Sequence, residues 1–550
     1  MAADRQDHGT SSQPNSFRRE HRRIFPLLAL LLWLLPALAC NLPRAPEATP
    51  TALIQASPTL YPLSGWGKSI PGKALSTPTV PAAPTSQAWT FPGLNILSTF
   101  PENSSAGTLE FIDSSNGPIA YLSQPGDTLP ALIKRFAVLP ENIRIPDGTP
   151  QQGLIPAGTI LEIAAPPAWT LPSAALLPDS EIPYGLSALD FSVESYVRDA
   201  GAFLNGYTET VDQETLSGAQ IVQRVASELS VNPRVLLAFI EFRSGWVLGW
   251  PKEPVDTTFP LGFAADDYRG LYKELTLAAR QLSIGYYLWR SGLLGTLEFP
   301  RGDSVRISPK TNAGTAAVSL LFSKIYSREN FGPALYGPQG FIAFYRYLFG
   351  DPFARASAFE PLYAPGFMDS LPSLELPFAP GEKWSFTGGP HADWSTGSPA
   401  GALDFAPAGE GRGCYISKRW ATAAADGMVV RTGKGQVLLS LDAGENEQKG
   451  WVLLYLHLAE QDRVSAGTRV RAGDPLGHPS CEGGVATGTH VHIARKYNGE
   501  WVGVGPDTPF VLSGWQVEPG SDPYLGRLVS PDGRVIVAHG DGSGLGLIVR

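Results

Sequence analysis

The chain has 550 residues, too many for one hydrophobic core, and its 43% hydrophobic content is that of a globular protein. Fifty prolines and 59 glycines imply long linkers and turn-rich β structure, and a net charge of −9 with no long basic run excludes an ordinary nucleic-acid partner. There are only three cysteines, Cys40, Cys414 and Cys481, so their positions carry more than their number.

Residues 1–39 have the pattern of an export signal. Arg18, Arg19, Arg22 and Arg23 precede the apolar run Ile24–Leu35, which ends at Pro36, Ala37, Leu38 and Ala39 before Cys40. That run is shorter than the ~20 residues a spanning helix needs, which favours a signal peptide over a transmembrane segment. A cysteine directly after such a site resembles a bacterial lipobox, and the resemblance implies that Cys40 is lipidated and anchors an extracytoplasmic chain to the membrane. The alternative, signalled by bulky Leu38, is secretion without an anchor. Outside the cytoplasm Cys414 and Cys481 can form a disulfide, leaving Cys40 as the odd thiol that lipidation explains.

Residues 40–90 are rich in Pro, Ala, Thr and Ser and are expected to be an extended linker. A small unit follows at 110–165. The turn Pro125-Gly126-Asp127-Thr128 caps a helix over Leu129–Phe136, a second helical stretch is expected from Asn142 and Ile143, and Gly158–Ile163 closes as a strand. The order βααβ, opening on "GDTL" and closing on "IPAGTILEI", resembles a LysM module, which implies binding to N-acetylglucosamine-containing glycan strands of peptidoglycan. The bland alternative is a βααβ spacer.

Residues 185–350 show helical spacing, with Phe191 to Leu204 and Ile221 to Leu229 as apolar stripes and Asn232-Pro233 opening a further helix. Helices are also expected at 267–291, 314–327 and 338–349. The stretch "VNPRVLLAFIEFRSGWV" resembles the start of a lysozyme-like domain, in which a catalytic Glu precedes Ser. Here Arg243 precedes Ser244, and Glu241, two positions early, is rotated about 200° around a helix. The expectation is therefore an inactive scaffold or glycan-binding relic.

From 375 to 515 alternating apolar runs such as "GMVVRTGKGQVLLSLD" and "GWVLLYLHLAE" indicate an antiparallel β domain, with residues 516–550 as a β tail. No histidine occurs between 22 and 390; then His391, His457, His478, His490 and His492 fall within this domain, and His539 comes last. His391, Asp404 and one or two of the later histidines suit an N/O zinc site, which needs three protein ligands and an open position; the remaining histidines suit proton transfer. Isolated surface or core roles are expected for His478 and His539.

The set "GGPHADWSTGSPAGALDF", "YLHL", "VRAGDPLGH" and "GTHVHIARKYNG" resembles the lysostaphin-type zinc metallopeptidases, in particular the β-lytic branch. The long spacer between His391 and Asp404 and the cysteine upstream of the H-x-H fit that branch. The resemblance implies Zn bound by His391, Asp404 and His492, with His457 and His490 flanking the open coordination site. It further implies hydrolysis of peptide cross-links in peptidoglycan. Asp393 is an alternative carboxylate, and the residue before His457 is Leu456, with Tyr455 one further back, so a tyrosine role at the oxyanion stays open. The competing reading is a non-catalytic wall-binding or regulatory lipoprotein on the same folds; retention of all five positions favours an enzyme. A third, glycan hydrolysis through the helical region, is opposed by Arg243.

Overall fold

The computed structural model describes residues 118–550 apart from 151–152, 165, 168–173, 250, 252–253, 365, 395–396, 443, 445 and 541–545. The export signal, Cys40, the linker and the first residues of the small module lie outside the described residues.

The small module comprises β1 (Ile119–Leu122), α1 (Leu129–Phe136), β2 (Ile143–Arg144) and β3 (Ile160–Ile163). Thr128 caps α1, its Oγ1 accepting from the Ala131 amide. Asp127 is instead taken by Tyr121, the Gln124 amide and Arg135. The second helix expected at Asn142 is absent among the described residues. Pro140–Asn142 makes one 3₁₀ turn, and Ile143 then pairs with Ile163, giving an antiparallel sheet in the order β1-β3-β2. The reason is local: Pro146 disfavours helical geometry just before it, and Ile143 gains more by burial in the module's core with Leu132, Phe136 and Leu161. The βααβ expectation is thereby corrected to βαββ.

The middle region is helical, with α2 (Val193–Ala200), α3 (Phe203–Gly206), α4 (Gly218–Leu229), α5 (Pro233–Ser244), α6 (Leu271–Arg290), α7 (Ala313–Ile325), α8 (Arg328–Tyr336), α9 (Phe341–Phe349) and α10 (Pro352–Ala356). Two hairpins, β4 (Thr208–Val211) with β5 (Glu214–Ser217) and β6 (Thr296–Glu298) with β7 (Ser304–Arg306), interrupt the helices. Asn232 caps α5 through the Arg234 amide. Gly201, in left-handed geometry at φ 63°, divides the apolar stripe 191–204 into α2 and α3.

The C-terminal region contributes β8 (Lys383–Ala392), β9 (Ala400–Pro407), β10 (Ala421–Thr422), β11 (Gly427–Gly433), β12 (Gln436–Ser440), β13 (Trp451–Leu456), β14 (Arg469–Val470), β15 (Pro475–Gly477), β16 (Val491–Tyr497) and β17 (Glu500–Trp501). It ends with β18 (Val511–Leu512), β19 (Trp515–Pro519), β20 (Gly526–Val529), β21 (Val535–Val537) and β22 (Leu547–Val549). The main sheet is antiparallel in the order β14-β11-β12-β13-β16-β9-β8-β22, with β17 against β16. The tail thus splits: β18 to β21 form a separate sheet, and β22 returns as an edge of the main one.

Both faces of the main sheet are buried. Leu453, Tyr455, Ile493 and Phe405 pack into a core of the β region itself, while Val452, Leu454, Leu456, Ala494 and Trp501 join the core of the helical region. Strand alternation explains why β13 is an unbroken apolar run. Polar contacts seal the junction: the Trp501 amide donates to Tyr287 Oη at 2.9 Å, Tyr286 donates to Glu500 at 3.1 Å, and Ser230 donates to the Gly499 carbonyl at 2.8 Å. Among the described residues no helix is long and apolar enough to cross a membrane.

Candidate metal centre

The site forms where β8, β9, β16 and the end of β13 lie side by side. Register sets His492 directly opposite Asp404 on β9 and opposite Leu456 on β13, while Asp404 faces Gly388 on β8. Irregular pairing between Phe386 and Ala392 turns His391 toward the same point. Gly388 makes room: a Cβ there would lie 2.6 Å from Asp404 Oδ2. His391 Nε2, His492 Nδ1 and Asp404 Oδ1 converge, with separations of 3.1 Å between the two nitrogens and 3.4 and 3.2 Å from each to the carboxylate oxygen. Asp393, the alternative carboxylate, stays apart. Its side chain is fully buried without a hydrogen-bond partner, and only its backbone carbonyl serves the site.

The donor atoms fit a cation. His391 Nδ1 lies 2.8 Å from the Gly389 carbonyl and His492 Nε2 lies 2.9 Å from the Asp393 carbonyl, so each of these nitrogens carries the proton. The two nitrogens that face each other at 3.1 Å are therefore both lone-pair atoms, and the carboxylate oxygen beside them has no hydrogen-bond donor. Three converging lone pairs repel unless a positive charge sits among them. Two imidazoles and one carboxylate with backbone carbonyls behind them form a donor set suited to zinc.

Electrostatics agree. Burial opposes charge on Asp404, but His391 and His490 outweigh it and hold its carboxyl well below the usual range. Burial alone would lower His391, yet the neighbouring Asp404 charge raises it. Burial lowers His492. His457 is lowered well below the ordinary imidazole value, by burial first and then by His490 and His492, and so is neutral.

His457 and His490 stand beside the cluster, with ring centroids 4.5 Å apart. Each commits Nδ1 to a backbone carbonyl, Glu482 and Gly488 respectively, both at 2.8 Å, which assigns any chemistry to Nε2. His490 Nε2 lies 3.7 Å from Asp404 Oδ1. His457 has the left-handed φ of 67°, sparsely populated for a residue with a side chain, and its carbonyl accepts from both the amide and hydroxyl of Ser480 at 2.6 and 3.0 Å. Cys414 and Cys481 are joined in a disulfide with Cα atoms 5.6 Å apart.

Other residues go elsewhere. Tyr455 points into the β core, where its Oη accepts from the Ala424 amide, so it takes no part at the site. His478 packs on Trp420, away from the cluster. Glu241 is buried, and one of its oxygens accepts from the Val247 and Leu248 amides at 2.7 and 2.9 Å, holding a loop. Arg243 is engaged by the Leu261 carbonyl and Tyr326. Tyr524 was missed by sequence reasoning: it stacks on His391 at 4.1 Å, brought in by the β19–β20 turn. A lone tyrosine in a polar turn carries no sequence signal of such a place.

The chain matches two family models: LasA, N-terminal domain, over residues 175–361, and peptidase family M23 over residues 416–504. The second match takes in His457, Cys481, His490 and His492, with His391 and Asp404 upstream of it. Protease LasA of Pseudomonas aeruginosa is 27% identical over 347 residues, spanning 60% of this chain and 78% of that protein. Among solved structures, the M23 metalloprotease pseudoalterin from the deep sea is 25% identical, covering 30% of this chain and 95% of its own, with a TM-score of 0.26. The catalytic domain of lysostaphin from Staphylococcus simulans is 24% identical, covering 21% of this chain and 81% of its own, with a TM-score of 0.16. The region that resembled the start of a lysozyme-like domain is therefore LasA-like, and behind it the chain carries a peptidase domain of family M23.

Proposed function

We propose that the protein is an extracytoplasmic zinc metalloendopeptidase that cuts peptide cross-links of peptidoglycan. The observation that carries this reading is the convergence of three lone-pair atoms from His391, His492 and Asp404, each imidazole oriented by a backbone carbonyl. Zinc in that set supplies a Lewis acid for the scissile carbonyl and for the attacking water. The chain's own groups would do the remaining work. His457, kept neutral by burial, would take the water's proton at Nε2 and pass that same proton to the leaving amine, while His490 would flank the reacting water and the developing oxyanion. The family match and the resemblance to protease LasA support peptide-bond hydrolysis. Lipidation of Cys40 would hold the enzyme at the membrane, the 40–90 segment would give it reach, and the small module would engage glycan strands as a LysM-like unit.

The test is digestion of purified peptidoglycan by the mature chain, with amine release measured beside bound zinc. Cleavage that a chelator stops and zinc restores is expected, with His457→Ala retaining zinc but losing about 10²–10⁴-fold in turnover. Zinc-independent cleavage refutes the zinc reading, and no cleavage by a zinc-loaded chain refutes it in favour of the wall-binding alternative.

A further inference from the structure

Two anchoring systems serve the two groups of histidines. The candidate metal ligands are fixed by the sheet: His391 and Asp404 by β8 and β9, His492 by β16, with their orienting carbonyls at Gly389 and Asp393. The flanking pair is fixed by loops. His457 leans on Ser480 and Glu482, the residues on either side of Cys481; Ser480 binds the His457 carbonyl, Glu482 accepts from its ring, and the Glu482 amide donates back to Ser480 Oγ at 3.0 Å. His490 follows Thr489, which the segment around Cys414 holds from both sides. The Thr489 amide donates to the Gly413 carbonyl at 3.0 Å, its Oγ1 accepts from the Tyr415 amide at 2.9 Å, and the hydroxyl donates to the Tyr415 carbonyl at 2.5 Å.

We propose that the Cys414–Cys481 crosslink positions His457 and His490 relative to each other, and so sets turnover without contributing to metal retention. The crosslink is the covalent bond between the two loops: the segment 480–482 that carries the His457 anchors, and the segment 413–415 that carries the anchor of Thr489. With it closed, the two imidazoles stand 4.5 Å apart. With it open, the loops are linked only by hydrogen bonds, and the pair loses its fixed spacing while the sheet keeps the three metal-ligand candidates in place. Thr489 is the second positioning residue; it touches neither the three donor atoms nor the site where substrate would react.

This inference rests on the proposed peptidase activity. The test measures kcat, KM and bound zinc for the full mature chain on a fluorogenic glycine-rich peptide, comparing wild type with Cys414→Ser/Cys481→Ser, Thr489→Val and Thr489→Ser. The crosslink-free chain and Thr489→Val are expected to lose about 10–100-fold in kcat, the range seen when groups behind a site are removed, with KM and zinc content within about twofold. Thr489→Ser, which keeps the hydroxyl, should recover kcat to within about threefold of wild type. Unchanged kcat in both deficient variants overturns the proposal, and so does loss of zinc in step with kcat, which would make the crosslink a general scaffold. Should the double serine chain not fold, a water-soluble phosphine serves on the native chain: R₃P + RSSR + H₂O gives R₃P=O + 2 RSH at the exposed Cys414. The same fall in kcat at constant zinc is then required. A zinc-loaded wild type that cuts nothing refutes the proposed function and this inference with it; an active wild type with indifferent variants refutes this inference alone.

Discussion

Asp404 and Glu241 are both buried carboxylates in stretches that suggested chemistry, and they are built in opposite ways. Asp404 faces two imidazole lone pairs and is held well below the ordinary carboxylate range by His391 and His490 despite its burial. Among the described residues Glu241 faces no cation; burial raises its pKa, partly countered by the Leu248, Val247 and Gly249 amides. One carboxylate is kept charged among groups that share its need for a cation. The other bonds the backbone of its own loop. Burial alone therefore does not mark a functional carboxylate; convergence with other lone pairs does.

The largest effect that would break this contrast is on turnover. Asp404→Ala should lose bound zinc and at least about 10³-fold in kcat/KM, the equivalent of several kcal/mol of transition-state stabilisation. Glu241→Ala, assayed where it is folded, should stay within about threefold of wild type; the reverse result would move the active site into the helical region. Next, Gly388→Ala sharpens the account of Asp404. The added methyl at 2.6 Å from Oδ2 must displace the carboxylate, so zinc affinity by competition titration should fall about 10–100-fold while the fold survives.

Glu274 offers a third buried carboxylate and a pH signature. Burial raises it to about 7, offset in part by the Leu261 and Phe263 amides and by Arg243. The folded chain binds this proton more tightly than the unfolded chain, so the stabilisation is fully present below about pH 4.5 and is lost as pH rises through about 7. The stability difference between wild type and Glu274→Gln in urea should thus shrink by roughly 3 kcal/mol between those limits, and a flat difference would refute the assignment. Smallest, Glu241→Ala should cost about 1–3 kcal/mol by leaving the Val247 and Leu248 amides without their acceptor, measured as a lowered unfolding midpoint.

How much was legible follows from where each signal lies. The candidate donors and flanking histidines stood out because five histidines cluster after a long gap, and strand alternation sets His490 and His492 on one face. Their orientation was not legible. Gly389, Asp393, Glu482 and Gly488 act through backbone carbonyls, which every residue type possesses. Local turn chemistry gave α1 and α5 their caps, but the helical start at Asn142 gave way to pairing of Ile143 with Ile163, 20 residues on in sequence. The return of β22 to the edge of the main sheet, and the arrival of Tyr524 over His391, depend on long-range pairing that no short window contains.

The doubly covered sheet also sets terms for anyone wishing to move this catalytic unit into another protein. Cutting the chain near residue 375 would strip the helical cover from Val452, Leu454, Leu456, Ala494 and Trp501, turning an interior into a contiguous apolar surface prone to self-association. The junction bonds of Trp501, Glu500 and Gly499 would lose their partners in the same cut. The smallest portable unit is accordingly the pair of regions together, and a graft of the β region alone would need that face redesigned with polar side chains.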